Sequence, residues 1–439
     1  MKFPGTIKVC KRKGAIAVMV AVSLSLLLGY AALSLEGGQL HENKRKAQAT
    51  ADAAAMAAAS VLYENYPQQL GKDLYGSASS SAYSYAAENG FPANGADTEV
   101  TVYLPPVSGP YKGMDGYVEV LLTYYQDRSF SRIFGSQKMP VRARAVARGA
   151  WTAPNIGIIV LDYTGKGTLS AQGNGAFTET GAPVIVNSNN SSAMVDTGNG
   201  KMIAPEFRIT GGYISSGNGE IVTQPVANQI FTGVHPTPDP LAYLPVPQQP
   251  SSGTVDKSSL GSGKFHYTLG PGTHTNLPNF GTGDKVTFKQ ASAGNGGVYY
   301  IANGGITSTG ATIEMDTNSS GGMMIYNAGT GTNDKINITG NSAGSVNITP
   351  ITSGVYTGMT FFQNRTASQE IHIEGNGTFN IKGTIYAANA ELQAAGKGTL
   401  SNIGSQYVTR ELQITGNGNV GITWNPTDVA RTRIITLVE

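Results

Sequence analysis

Only one cysteine, Cys10, occurs in 439 residues, so the chain can form no internal disulfide and no cysteine-based zinc site. Charge is scarce as well. Charged residues make up 13%, and 30 basic against 28 acidic side chains leave a formal net charge of +2. No global field therefore points to nucleic acid as a partner. The five histidines (His41, His235, His266, His274 and His372) are scattered, with no HExxH motif and no pair at helical spacing. No Walker loop is present, and the Gly-x-Gly triplets recur too widely to mark a phosphate cradle. What is abundant is glycine, 57 residues, in a chain that is still 40% hydrophobic. The apolar share excludes a disordered chain, and the glycine excludes a helical bundle. Many short strands joined by tight turns account for both.

One long apolar run stands near the start. Residues 15–35 read AIAVMVAVSLSLLLGYAALSL without a charge. About 20 such residues at about 1.5 Å each cross a hydrocarbon core of about 30 Å. Five basic residues precede the run (Lys2, Lys8, Lys11, Arg12, Lys13), and three follow it closely (Lys44, Arg45, Lys46). The basic excess puts the N-terminus in the cytoplasm and the bulk of the chain outside it. The alternative is a cleaved signal peptide with Ala32 and Ser34 at the cleavage site. The run is longer than the usual hydrophobic region of such a peptide.

Helix formers continue from Gln39 to Tyr66, where Pro67 ends the run. Ala47, Ala51, Ala54, Ala55, Ala58, Val61 and Leu62 recur at three- and four-residue steps and line one face with small side chains. Gly37 and Gly38 offer a hinge before that face. Alternation then predicts strands around Val100–Leu104, Val118–Tyr124 and Val141–Ala147, with a short helix at Ser129–Phe134 between the last two. Arg142, Arg144 and Arg148 stand opposite the alanines of the third strand. They read as a solvated strand face, or as a surface for an anionic lipid or acidic partner.

From Trp151 the character changes. Gly-Asn-Gly triplets open at Gly173, Gly198 and Gly217, at steps of 25 and 19 residues. A later set opens at Gly375, Gly396 (Gly-Lys-Gly) and Gly416, at steps of 21 and 20. Self-similarity at this period marks a solenoid, expected here as a right-handed parallel β-helix, with a β-sandwich as the fallback. Aromatics after glycine at Tyr299, Tyr300, Phe361, Phe362 and Tyr386 are expected to stack on successive turns. Residues 235–250 hold six prolines, which cannot supply a central strand, and read as an extended connector.

Acids are sparse in the glycine-rich part. Glu314 with Asp316, and Glu370 with His372, lie two apart and so share a strand face. Either pair suits calcium binding or acid–base work, but such pairs are more often solvated. Hydrolysis of a glycosidic bond requires two carboxylates placed across a groove. Three classes remain: a structural envelope protein, a β-helical polysaccharide lyase or hydrolase, and a carbohydrate-binding adhesin. No catalytic, cofactor-binding or metal-ligating residue is assigned.

The stretch KRKGAIAVMVAVSLSLLLGYAALSLEGGQLHENKRKAQATADAAAMAAA resembles the N-terminal domain of TadG-like proteins of Flp-type (tight adherence) pilus assembly. The shared features are a basic residue and Gly14 opening the apolar helix, Glu36 and Gly37 after it, a basic patch, and the run Ala51–Ala55. The resemblance implies a role in assembling or anchoring adhesive pili in the envelope. Two departures bound it. Related prepilins carry glutamate at the fifth residue after the processing glycine, where this chain has Met19. Some members carry a metal-binding Asp-x-Ser-x-Ser motif, and Asp162 lacks those serines. The expected organisation is a cytoplasmic basic tail (1–14), a transmembrane helix (15–35), a helix with a small antiparallel sheet (36–150), a first solenoid part (151–234), a Pro-rich connector (235–250) and a second solenoid part (251–439). The expected partners are membrane lipid, other pilus-assembly proteins or a surface polysaccharide, with no nucleic acid and no cofactor.

Overall fold

A computed structural model of the chain describes residues 13–93, 96–290, 296–316, 321–340, 344–375, 379–396 and 401–439. Cys10, Lys2, Lys8, Lys11 and Arg12 lie outside the described residues, as do Asn376, Gly377, Lys397 and Gly398 of the late triplets. The chain divides into two units, Met1–Trp151 with Arg433–Glu439, and Thr152–Thr432. The last seven residues thus belong to the first unit, and the part expected to run from 251 to 439 stops short of them.

The first unit is built on one uninterrupted helix, α1 (Lys13–Glu64), followed by the single turn α2 (Tyr66–Gln69) and α3 (Ser77–Glu88). Strands β1 (Thr98–Tyr103), β2 (Tyr117–Gln126) and β3 (Met139–Thr152) form an antiparallel sheet, with a 3₁₀ turn at Phe130–Phe134 before β3. A fourth strand, β4 (Thr432–Leu437), adds to the outer side of β3. No hinge forms at Gly37 and Gly38. Both are helical, and glycine within a helix costs only about 1 kcal/mol each. The apolar half of α1 is long and apolar enough to cross a membrane, with a mean hydropathy of 2.3 over its best window, none of it buried. The C-terminal half buries Ala47, Ala51, Ala54, Ala55, Ala58, Ala59 and Leu62 against α3 and the sheet residues Val118, Val120, Leu122, Ala143, Ala145 and Ala147. These small residues bring the backbones together. A Cβ at Gly149 would lie 1.9 Å from the Ala59 carbonyl oxygen, so only glycine fits there.

The second unit is mainly β, with large parallel sheets and not the antiparallel pairing of a β-sandwich. Three strand positions recur along the chain, as in Ile158–Val160, Leu169–Gly173 and Ala176–Thr180, then Val184–Val186, Met194–Gly198 and Lys201–Ala204. Each strand pairs in register with its counterpart in the next repeat. The inward residues form one core that includes Ile158, Phe177, Val184, Phe207, Phe288, Tyr299, Phe361, Ile385 and Tyr407.

The order of strands departs from two parts in succession. One sheet runs from Gly272–Thr275 through Thr384–Gly396 to Gln406–Gly416, and Gln406–Gly416 then pairs with Ile158–Val160 and Leu169–Gly173. Residues after the connector therefore stack onto residues before it, and both flanks share the same sheets. The early and late glycines form one column as a result. Gly375, Gly396 and Gly416 pair in register, as do Gly173, Gly198 and Gly217. A Cβ at Gly173 would meet the Gly416 carbonyl at 2.1 Å, and one at Gly198 the Gly173 carbonyl at 2.2 Å.

The connector travels back along this stack. Ten strands on the main path of that sheet define nine spacings of about 4.8 Å, or about 43 Å. The expected extended connector is interrupted by a turn at 240–244, closed by the Leu244 amide on the Leu241 carbonyl (3.0 Å), and the segments on either side of it carry the return. Its attachments follow the strand order. Thr237 exchanges two hydrogen bonds with the Asn187 amide (2.7 and 2.8 Å), Tyr386 donates to Asp239 (2.7 Å), Tyr356 donates to the Pro245 carbonyl (3.0 Å), and Thr273 donates to the Pro250 carbonyl (2.6 Å).

Candidate functional site

Glu36 stands one residue beyond the apolar run and is only 3% exposed. Its carboxylate accepts hydrogen bonds from the Ser129 amide (3.1 Å), the Ser131 amide (2.7 Å) and the Ser131 hydroxyl (2.8 Å). Burial pushes the carboxyl up, but those donors and the Arg128 charge outweigh it and hold it below the usual range. The acid that follows the apolar helix thus ties α1 to the loop before β3. The sequence offered Glu36 only as a shared family feature, because its partners lie more than ninety residues away.

The arginine row of β3 is largely engaged inside the unit. Arg144 pairs with the fully buried Glu119 at 2.7 Å and with Glu439 on the returning C-terminus. Glu119 also accepts from the Val107 amide (2.8 Å), the Ser108 amide (3.2 Å) and the Ser108 hydroxyl. Burial raises its carboxyl, and these donors with Arg144 bring it below its ordinary value. Arg148 lies over the Tyr117 ring at 5.4 Å, and Arg142 remains exposed.

In the second unit the pair Glu370 and His372 comes together and gains neighbours that the sequence spacing did not reveal. His372 Nδ1 lies 3.4 Å from Glu370 and 2.5 Å from the Gln393 side chain, and Nε2 lies 3.3 Å from Glu374. Glu391 pairs in register with Glu411 on the adjacent strand. Burial, then the charges of Glu370 and Glu411, raise the Glu391 carboxyl, with Arg410 opposing. Lys335, Asn337, Thr339, Glu370 and His372 line a groove of about 280 Å³ beside this row. Glu314 is ion-paired to Lys285 at 2.8 Å, and the Asp316 amide donates to the Phe288 carbonyl. His266 contacts the Thr287 hydroxyl at 2.9 Å, whereas His274 is buried, contacts the Gly270 carbonyl at 2.9 Å and stacks on Tyr299. Among the described residues, no group of three or more His, Cys, Asp or Glu is arranged to hold a metal ion.

The aromatics after glycine form a row, but the rings meet tilted or edge to face and do not stack flat. Tyr300, Tyr326, Phe362 and Tyr386 pair in register on successive strands, with centroids 5.2, 5.2 and 4.9 Å apart. Tyr299 and Phe361 instead point into the core. This aromatic row faces outward and is nonetheless largely buried, in company with the connector's buried Leu241 and Leu244. Arg365 fastens the two layers. It donates to the Tyr386 hydroxyl (2.8 Å) and to the Leu241 and Leu244 carbonyls (3.0 and 2.8 Å), over the rings of Phe362 and Tyr386. Strands such as MTFFQ and VIV are apolar on both faces because both faces are covered.

The first unit has the form of a helix that is bare at one end and packed on a sheet at the other. Its residues 14–61 match the model of the putative Flp pilus-assembly TadE/G-like family. Over that segment the chain carries a TadE/G-like domain, which bears out the resemblance read from the sequence. No curated protein matches the chain. A solved structure, the competence-associated pilin ComZ from Thermus thermophilus, is similar at 10% identity and a TM-score of 0.27, covering 78% of this chain and 83% of that one. A likeness at that score carries no argument.

Proposed function

We propose that this chain is a single-pass, membrane-anchored envelope protein with a structural role in assembling or anchoring Flp-type adhesive pili. Its N-terminus lies in the cytoplasm, in the inner membrane's positive-inside sense, and its bulk is periplasmic or extracellular. The second unit is a parallel β-helix that presents a stiff surface and carries no catalytic activity. One observation supports this above the rest: the TadE/G-like match covers the helix that is bare over its apolar half and alanine-packed over its other half. A side chain exposed over that length has lipid as its natural solvent.

Carbonate extraction of membranes from cells making the full chain tests the anchor. Retention in the pellet, with protease reaching the second unit only from outside the cytoplasm, is the expected result. Release into the supernatant overturns it. Deletion of the chain is expected to abolish surface attachment and pilus display. Glu370→Gln and Glu391→Gln should leave both intact.

The row Glu370, Glu391 and Glu411 beside the groove favours a second reading, a surface that binds or cleaves a polysaccharide. Neighbouring parallel strands are about 4.8 Å apart, close to the roughly 5 Å carboxylate separation of retaining glycosidases. Release of reducing or unsaturated sugar ends from a polysaccharide panel, abolished by Glu391→Gln, would establish that reading over a purely structural one.

A further inference from the structure

We infer that one end of the second unit is a self-association surface, where a second copy of this chain docks by edge-to-edge strand pairing. The strands at that end are Tyr213–Gly217, Glu220–Thr223 and Ile230–Thr232. Each is paired on one side only, to Met194–Gly198, Lys201–Ala204 and Phe207–Ile209 respectively. Among the described residues no strand pairs their other side, so three rows of backbone donors and acceptors lie open. Open rows of this kind are templates for another chain's strands. Large apolar side chains stand exposed among them, beside the polar Ser215, Ser216 and Asn218: Tyr213 and Ile214 are each 43% exposed, Phe231 44% and Val226 57%. The charge on these strands is Glu220, already held by Lys201 at 2.6 Å.

The opposite end is blunted: its outermost strand, Val255–Gly261, is also paired on one side only, but it is irregular and charged. Val255–Gly261 folds antiparallel onto Lys264–Leu269, with an irregular register between Ser259 and Gly261, and carries Asp256 and Lys257. Ser252 bridges to Thr273, and Phe280 bridges to Ser308, which covers the other two edges. Irregular pairing, edge charges and covering segments are the devices that blunt a sheet edge. One end is blunted and the other is not.

A junction already present inside the unit shows that such edges can seal without a connecting chain. Gln406–Gly416 and Val420–Thr423 seal against Ile158–Val160, Leu169–Gly173 and Ala176–Thr180, strands far away in the chain. There the three positions close edge to edge without chain continuity between them. A row of asparagine amides crosses the seam: Asn174 donates to Asn417 (3.1 Å), Asn199 to Asn174 (2.8 Å) and Asn218 to Asn199 (3.2 Å). That row ends at Asn218, on the open end. A second copy of this end offers the same three open edges, and a two-fold axis across the stack sets one position against its own copy and the other two against each other. With the far end blunted by irregular register and charge, the pairing is a closed two-fold dimer, its strands antiparallel across the axis, and not a growing filament.

The test uses the full chain in detergent. Sedimentation equilibrium is expected to show a dimer, and Ile214→Lys and Phe231→Lys, which put a charge into the interface, are expected to weaken it about tenfold or more. Both sites are half-exposed, so thermal melts matching the parent chain will separate loss of docking from loss of folding. In a Cys10→Ser background, Phe231→Cys should form a disulfide-linked dimer on oxidation, and Ser258→Cys at the blunted end should not. A monomer at all concentrations overturns the proposal, as does a dimer that survives both lysine substitutions. A cross-link between chains carrying Phe231→Cys and chains carrying Ser258→Cys would mean head-to-tail stacking and overturns the closed pair.

Discussion

In the first unit the core is a layer of alanines, six of them on α1, set so close to the sheet that Gly149 has no room for a methyl group. In the second unit the core is a column of large side chains, Phe177, Phe207, Phe288, Phe361 and Tyr407 among them, stacked strand upon strand. The difference teaches where each unit is vulnerable. A core made by close backbone approach fails when something is added, and a core made of large side chains between parallel strands fails when something is removed. The first holds its helix by proximity over one half, while the apolar other half is bare of protein contacts. The second spreads its apolar contacts over many equivalent strands, with a proline-rich strap over one outer face.

The sharpest break in that comparison is Phe361→Ala. Its ring is fully buried between Ile325 and Ile385 on the flanking strands, and truncation is expected to cost about 3–5 kcal/mol. Hydrogen exchange should show protection lost across residues 321–396 and kept in α1. Next in size is Arg365→Ala, expected to cost about 3 kcal/mol because it strands the buried carbonyls that Arg365 serves on the connector. Limited proteolysis within 236–250, with the strands beneath still protected, is the expected signature. Cleavage no faster than in the parent chain would show that Arg365 does not hold the strap. Ala55→Leu should cost about 1–3 kcal/mol through overpacking, with exchange rising in α1, α3 and β2 only. If Ala55→Leu and Phe361→Ala loosen both units alike, the two cores are not independent and the comparison fails.

Much of this was legible locally, and what was not legible was distant. The alanine spacing on α1, the three alternating strands and the apolar run follow from periodicity, because each depends on residues a few positions apart. α3 was missed: SASSSAYSYAAE buries only Ala78, Ala82 and Ala86, and no large apolar residue marks its face. β4 was missed because its partner, β3, lies some 290 residues earlier. The glycine triplets announced a repeat, but nothing in their spacing says that Gly416 stacks on Gly173. The six prolines announced an extended segment. That it serves as a strap was written elsewhere, in strands apolar on both faces that had to be covered by something. The same holds for the candidate sites. Glu370 and His372 were visible as neighbours, whereas Glu391, Gln393 and Glu411 join them only through strand register.

Glu179 offers the finest probe of the stacked core, because it is an acid in a row otherwise meant for apolar side chains. It sits beside Ile422 in the paired register and is fully buried. Burial raises its carboxyl well above the ordinary value of 4.5, with the Ala182 and Trp424 amides opposing. The folded state therefore keeps a proton that the unfolded chain gives up once the pH passes about 4.5. Between those two points the folded state binds more protons, so stability is highest below the unfolded value and falls as pH rises toward the folded one. The slope approaches about 1.4 kcal/mol per pH unit for one such group. Glu179→Gln keeps the shape and removes the titration. Its melting temperature should match the parent chain near pH 4 and exceed it by a margin that widens as the pH rises from there toward the folded value. Parallel curves for the two chains would mean that Glu179 ionises within the fold, and that the stack admits charge where its other residues exclude it.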